Sequence, residues 1–389
     1  MVDLKMALKK KIPNGGKRGV LIACGGTGGH LFPGIAVAEQ LISRGRKVVL
    51  LISEKQIDQI ASKNYPHLRF EQLPSLAMPK PWSPKMASFL AKFVAGFKRS
   101  RQLIKEIEAD TVLGMGGFTS TAPLFAGKTS GCVGMIHESN AIPGRANRLN
   151  AKLSQYALCG WDACAKHFGS KAKVVGTPVR STLYKMPETT AAREHFGLVP
   201  DRFTLLIMGG SQGARGINQA VVEMLQFFEP ELIQMLHITG PSEFKEVSAG
   251  YAKTEIRSHV VPFCSEIEQA YAAADLSVCR SGASSLTEMS VVGLPGILVP
   301  YPHAADDHQN RNAEVFTEPG ACVTIQQADV NAQSLAQAVA EIGTDPEKLK
   351  SMQEKMLELA PNNAARAIRQ LIEMSAPEEK DSGENSSST

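Results

Sequence analysis

Short runs of consecutive apolar residues alternate along this chain with longer stretches whose apolar positions recur every three or four residues. The short runs read as buried strands and the longer ones as amphipathic helices, which together predict a parallel α/β protein. In the first unit, Gly19-Val-Leu-Ile-Ala-Cys24 is a strand and Gly25-Gly-Thr-Gly-Gly-His30 a glycine-rich turn. Phe32-Pro-Gly-Ile-Ala-Val-Ala-Glu-Gln-Leu-Ile is the helix that follows. Strands come next at Lys47 to Ser53 and Leu68 to Leu73, then a second strand-to-glycine-loop unit, Thr111-Val-Leu-Gly-Met-Gly-Gly-Phe118. Cys132 to Ile136 is a further strand and delivers His137-Glu-Ser-Asn140 at its carboxyl end, where open α/β sheets collect ligands.

Glycine and proline at Gly176-Thr-Pro-Val-Arg180, then a polar segment to about Pro200, mark a boundary. The pattern restarts with the strand Phe203 to Met208 and a third glycine loop, Gly209-Gly-Ser-Gln-Gly-Ala-Arg-Gly-Ile-Asn218. Strands at Leu232 to Ile238, His259 to Phe263 and Leu276 to Cys279 lead to a fourth loop-then-helix, Cys279 to Glu288. The strand Ile297-Leu-Val-Pro300 ends in Tyr301 to Asn312, and helices to about Met374 close the chain. Two such halves predict two Rossmann-like, doubly wound parallel-sheet domains facing a cleft. The expected bounds are 18–178 and 179–375, with the last helix able to pack back on the first domain. A basic extension over 1–17 and a disordered polar tail over 376–389 lie outside them.

One stretch breaks the alternation. Leu76 to Phe97 carries Leu76, Met78, Trp82, Met86, Phe89, Leu90, Phe93 and Phe97 among Lys80, Lys85, Lys92, Lys98, Arg99 and Arg101. From Ser83 on it is an amphipathic helix. Such a stripe suits a core, and large apolar groups beside only positive charges equally suit a surface lying on anionic lipid.

At 389 residues the chain exceeds what one core usually serves. Its apolar runs are too short for a membrane span or a signal peptide, so a cytoplasmic protein is expected. Seven cysteines without a Cys-x-x-Cys pair fit reduced thiols, and a formal charge of +4 makes no case for nucleic acid.

The chemistry follows from the loops. Glycines admit positive φ and close approach of a ligand, and a helix N-terminus favours an anionic guest such as a diphosphate. The dinucleotide fingerprint is absent: with Gly26 and Gly28 as its first glycines, the third falls on Leu31. In the third loop Ser211 stands where a first glycine would be, and its hydroxyl suits a phosphate oxygen. Diphosphate-competent domains without that fingerprint point to a nucleotide-sugar. No two aspartates stand in an Asp-x-Asp pair, and His303, Asp306, Asp307 and His308 read as a solvated loop rather than metal ligands. Neither metal nor cofactor is expected. Charge on a departing diphosphate is then met by helix N-termini, and a direct displacement with one general base is the economical mechanism. His30 sits at the mouth of the first loop, and Glu288 suits either a helix dipole or paired sugar hydroxyls.

In this order the motifs resemble one family. They are Gly-Gly-Thr-Gly-Gly-His30 with Pro33-Gly34, Gly-Met-Gly-Gly-Phe118, His137-Glu-Ser-Asn140, Pro178-Val-Arg180, Gly-Gly-Ser211-Gln-Gly-Ala, Cys-Arg-Ser-Gly282 to Thr287-Glu288, and Gln309 with Asn312. The family is the bacterial UDP-N-acetylglucosamine:N-acetylmuramyl-(pentapeptide) pyrophosphoryl-undecaprenol N-acetylglucosamine transferases, and the resemblance runs from about Arg18 to Met374. It implies a two-domain GT-B fold and a metal-independent, inverting transfer to the 4-hydroxyl of lipid I. The product is lipid II, in cell-wall synthesis that serves cell shape and division. It also implies a peripheral place on the cytoplasmic face of the plasma membrane, with UDP-N-acetylglucosamine, lipid I, anionic lipid and other cell-wall enzymes as partners.

Carried over residue by residue, His30 would be the base. Gln309 and Glu288 would hold sugar and ribose hydroxyls, and Ser211 phosphate. The backbone at Cys264 and the loop Ala283-Ser284-Ser285-Leu286-Thr287-Glu288 would bracket uracil, ribose and diphosphate. Thr27, Gly28, Gly29, Asn140 and Arg180 would be further donor contacts, with Gly28 and Gly29 also serving the acceptor's diphosphate. The resemblance assigns Leu76, Trp82, Lys85, Phe89 and Phe93 to membrane docking. Cys264 replaces a common aliphatic, which a backbone contact tolerates. Phe118 replaces a frequent tyrosine and receives no catalytic role, and one residue is extra near Asp307. A UDP-sugar epimerase would share fold and donor without needing a lipid-facing patch. A non-catalytic nucleotide-sensing module would have no use for His30 at the loop.

Overall fold

The structure, a computed structural model, describes residues 18–26, 28–54, 63–74, 79, 82–209 and 214–375. Strands β1 (Gly19–Ala23), β2 (Lys47–Ser53), β3 (Phe70–Leu73), β4 (Ala109–Gly114), β5 (Val133–Glu138), β6 (Tyr156–Cys159) and β7 (Ala172–Val174) form the first sheet. Its order is β3-β2-β1-β4-β5-β6-β7, parallel throughout. The second sheet comprises β8 (Phe203–Met208), β9 (Ile233–Ile238), β10 (Ser258–Val261), β11 (Leu276–Cys279), β12 (Gly296–Leu298) and β13 (Cys322–Thr324). Its order is β10-β9-β8-β11-β12-β13, again parallel. This is the expected pair of doubly wound domains. Strands β6, β7 and β13 escaped the sequence reading because each has only three or four residues.

Both sheets are covered on both faces, and side chains alternate between the two layers as strand geometry requires. Val20 and Ile22 enter one core of the first sheet, Leu21 and Ala23 the other. Leu205 and Ile207 face one core of the second sheet, Leu206 and Met208 the other. Val179 and Leu183 already pack into a second-sheet core.

Seven helices frame the site: α1 (Gly28–Ile42), α2 (Lys85–Glu106), α3 (Thr121–Thr129), α4 (Arg215–Met224), α5 (Ala283–Val292), α6 (His308–Thr317) and α7 (Ala364–Ser375). Helix α7 returns to the first domain, where Ala365, Ile368 and Ile372 join the core under Ile35 and Leu41 of α1.

The order of the first sheet reverses between β1 and β4, that of the second between β8 and β11. Such switch points open crevices at the carboxyl ends of the strands. The first and second glycine loops leave β1 and β4, and the third and fourth leave β8 and β11. All four motifs therefore stand at switch points.

Candidate active site

Helix α1 starts at Gly28, so Gly28, Gly29 and His30 form its first turn rather than the end of a loop. The N–H groups of a first turn have no partner within the helix. The second glycine loop is tied to the first: Thr119 Oγ1 donates to the Gly25 carbonyl at 2.8 Å, and Ser120 Oγ to that of Ala23 at 3.2 Å. Gly116 has φ +129°, and a Cβ there would stand 2.6 Å from His30 Nε2. The second loop therefore supplies the space in which the imidazole lies.

Helix α1 contains Pro33. Proline has no N–H, so the Gly29 carbonyl four residues back loses its helical partner. Ser284 Oγ, in the first turn of α5, donates to that carbonyl at 3.0 Å. A helix defect in one domain thus becomes an attachment point for the other.

Beside it lies a buried ionic group. Glu288 Oε1 accepts from Arg180 Nη2 at 2.9 Å and Nε at 3.2 Å, and Oε2 accepts from Tyr271 Oη at 3.0 Å. The Arg180 guanidinium also lies 4.4 Å from the ring centre of Phe32 on α1, within cation–π range. Burial first, then the Glu288 carboxylate, holds the Tyr271 phenol well above its ordinary pKa, so it remains a donor. Tyr271 was missed by sequence reasoning. It stands in Glu-Gln-Ala-Tyr-Ala-Ala-Ala, where no signal says which way its hydroxyl points.

A third contact brings Asn140 to the cleft. Glu138 Oε1 accepts from the Asn140 backbone N–H at 3.0 Å and from its side chain at 2.9 Å. Its Oε2 accepts from the Gly144 N–H and from Asn147 Nδ2. From the second domain, Asn312 Oδ1 accepts from the Ala141 N–H at 2.9 Å, and its Nδ2 donates to Asn140 Oδ1 and the Ser281 carbonyl, both at 3.1 Å. Ser281 Oγ in turn donates to the Gln309 carbonyl at 2.8 Å. The Gln309 side chain caps the turn before it, Oε1 accepting from the Tyr301 N–H. His137, just behind Asn140, is fully buried on the Gly176 carbonyl, and burial lowers its pKa.

The fourth loop proves shorter than expected. Ala283 to Glu288 is helical, the opening of α5 with Gly282 as its N-cap. Leu286 and Thr287 turn inward, Thr287 Oγ1 bonding the Ala283 carbonyl, so only backbone at those positions can meet a ligand. Ser284 and Ser285 are partly exposed. The thiol of Cys264 is partly buried, which raises its pKa. Thr27, Ser211 and Leu76 lie outside the described residues. Among the described residues no group of His, Cys, Asp or Glu is arranged to hold a metal ion.

Away from the cleft, Trp82 is 98% exposed and the first half of α2, Lys85 to Ala95, buries no residue. Burial on α2 begins at Gly96. Phe89 is half-buried, and Phe93 meets Phe125 of α3 at 6.2 Å between ring centres. The stripe is therefore not core. No described helix is long and apolar enough to cross a membrane.

Comparison with known proteins agrees with this geometry. Residues 20–158 match the glycosyltransferase family 28 N-terminal domain, and residues 204–371 the C-terminal domain of the same family. The UDP-N-acetylglucosamine–N-acetylmuramyl-(pentapeptide) pyrophosphoryl-undecaprenol N-acetylglucosamine transferase of Geobacter sulfurreducens is 37% identical over 356 residues, 90% of this chain and 96% of that one. Among solved structures, MurG of Acinetobacter baumannii superposes with a TM-score of 0.72 at 26% identity, covering 92% of this chain and 99% of its own. A UDP-N-acetylglucosamine 2-epimerase also superposes, with a TM-score of 0.62 over 90% of this chain and 95% of that one. Its 13% identity is likeness of fold alone.

Proposed function

The chain belongs to glycosyltransferase family 28, among the UDP-N-acetylglucosamine–N-acetylmuramyl-(pentapeptide) pyrophosphoryl-undecaprenol N-acetylglucosamine transferases, and from that premise we propose that His30 is the general base of the transfer. The reaction moves N-acetylglucosamine from UDP-N-acetylglucosamine to the lipid-linked muramyl-pentapeptide, lipid I, and forms lipid II. His30 takes the proton of the acceptor's 4-hydroxyl as that oxygen attacks the anomeric carbon. The bond from that carbon to the diphosphate breaks, and its electron pair leaves with UDP. Attack from the face opposite the leaving group inverts the anomeric centre.

Free N–H groups in the first turns of α1 and α5, with Thr27 and Ser211, meet the diphosphate charge. Glu288, Gln309, Asn140 and Arg180 hold the donor's hydroxyls, sugar and charge, and the backbone at Cys264 borders the base. The reading uses no metal and no cofactor. Trp82, Lys85, Phe89 and Phe93, with Leu76, rest the first domain on the cytoplasmic face of the plasma membrane, where lipid I is met.

One observation carries the catalytic reading: His30 lies against Gly116 and next to Gly29, the residue that the second domain reaches through Ser284. A positioned base contributes about 10²–10⁴-fold, so His30→Ala should lose rate on that scale while binding UDP-N-acetylglucosamine as the parent does. Turnover near the parent's would remove His30 from the role. UDP release should also require the lipid-diphosphate acceptor. An isomerised UDP-sugar formed without acceptor would favour an epimerase instead.

A further inference from the structure

The hydrogen bonds of Glu288 leave it one acceptor site short. An ionised carboxylate offers about four lone-pair sites. Arg180 takes both on Oε1 and Tyr271 takes one on Oε2. One remains, and a pair of sugar hydroxyls needs two. Accepting both requires Arg180 to give up a bond, and a diphosphate arriving beside that guanidinium draws it away. Tyr271 has no such alternative. It is buried at 3% exposure in the second-sheet core, and its helix, Ile267–Ala273, packs beside α5.

We propose that Tyr271 is the positioning residue of the donor site, holding Glu288 Oε2 through its hydroxyl so that the carboxylate stays aimed when Arg180 is exchanged for the donor. Tyr271 touches neither substrate. The inference rests on the reading of Glu288 as a donor contact, and the test separates the two.

In the full-length chain, Tyr271→Phe keeps the ring and removes only the hydroxyl. The expected result is a donor KM, and a calorimetric Kd for UDP, raised about tenfold. The kcat should stay within about twofold, and acceptor KM and Tm should stay near the parent's. In a Glu288→Ala background the same change should have no further effect on UDP affinity, because the hydroxyl then has nothing to aim. Unchanged UDP affinity in Tyr271→Phe, with a loss in Glu288→Ala, would overturn the positioning role and leave Glu288 as a contact. No loss in either variant would overturn both. Additive losses in the double variant, or a lowered Tm with equal losses for both substrates, would make the tyrosine a packing residue and likewise overturn the proposal.

Discussion

Gly116 shows how one residue type serves chemistry carried by another. Its φ of +129° disfavours any side chain, and the space a Cβ would take is filled by His30 Nε2. Gly116→Ala should push the imidazole from its place without touching the donor domain. The expected outcome is a kcat lowered about ten- to a hundredfold with UDP affinity unchanged. Steady-state turnover beside UDP calorimetry reads both, and parent-like turnover would mean that the ring position is immaterial. His30 was legible in the sequence because a glycine loop opening a helix announces an anion site, and the histidine closes that loop. The need for glycine at 116 was not legible, since the atom it avoids lies on another element.

At the scale of elements, α2 is where pattern alone left two outcomes open. Its apolar stripe suits a core and a lipid surface equally, because periodicity says which residues share a face and not what that face meets. Burial starting only at Gly96 excludes the core for its first half. A Trp82→Ala, Phe89→Ala double variant should therefore melt near the parent temperature, whereas buried aromatics cost about 3–5 kcal/mol on truncation. It should bind anionic vesicles poorly, and parent binding should weaken with salt as Lys85, Lys92 and Lys98 are screened. A collapsed melting temperature with unchanged vesicle affinity would move the membrane contact elsewhere. Helix α1 shows the same limit: Pro33 is visible in the sequence, but its effect on the Gly29 carbonyl matters only because α5 arrives there with Ser284.

Across the whole molecule, buried histidines tie stability to pH. His237 is fully buried, its Nδ1 at 3.0 Å from Tyr251 Oη and its Nε2 at 3.0 Å from Asn218 Oδ1 on α4. Burial lowers its pKa from 6.5 to about 3. His137 shifts the same way for the same reason. Above the unfolded value of 6.5 neither state is protonated at His237, and its contribution is fully present. As pH falls from there toward about 3, the unfolded chain binds a proton that the folded chain refuses, and stability drops. The slope approaches about 1.4 kcal/mol per pH unit for each such group. Urea melts between about pH 7 and pH 5 should show this decline, and a His237→Gln variant should be less stable at pH 7 with a flatter profile. A parent profile already flat over that range would count against a neutral buried imidazole.

Composition and local pattern determined the class of the molecule. Strand and helix periods are set by neighbours a few residues apart, so the parallel α/β order, the restart after Arg180 and the glycine loops at strand ends could be read without coordinates. The tertiary structure decided which polar groups meet. Ser284 reaches Gly29 across 255 residues of chain, Asn312 reaches Asn140 across 172, and Arg180 reaches Glu288 across 108. Hydrogen bonds are short and directional, so such pairs exist only where two sheets bring their switch points together, and no periodicity in the chain encodes that meeting.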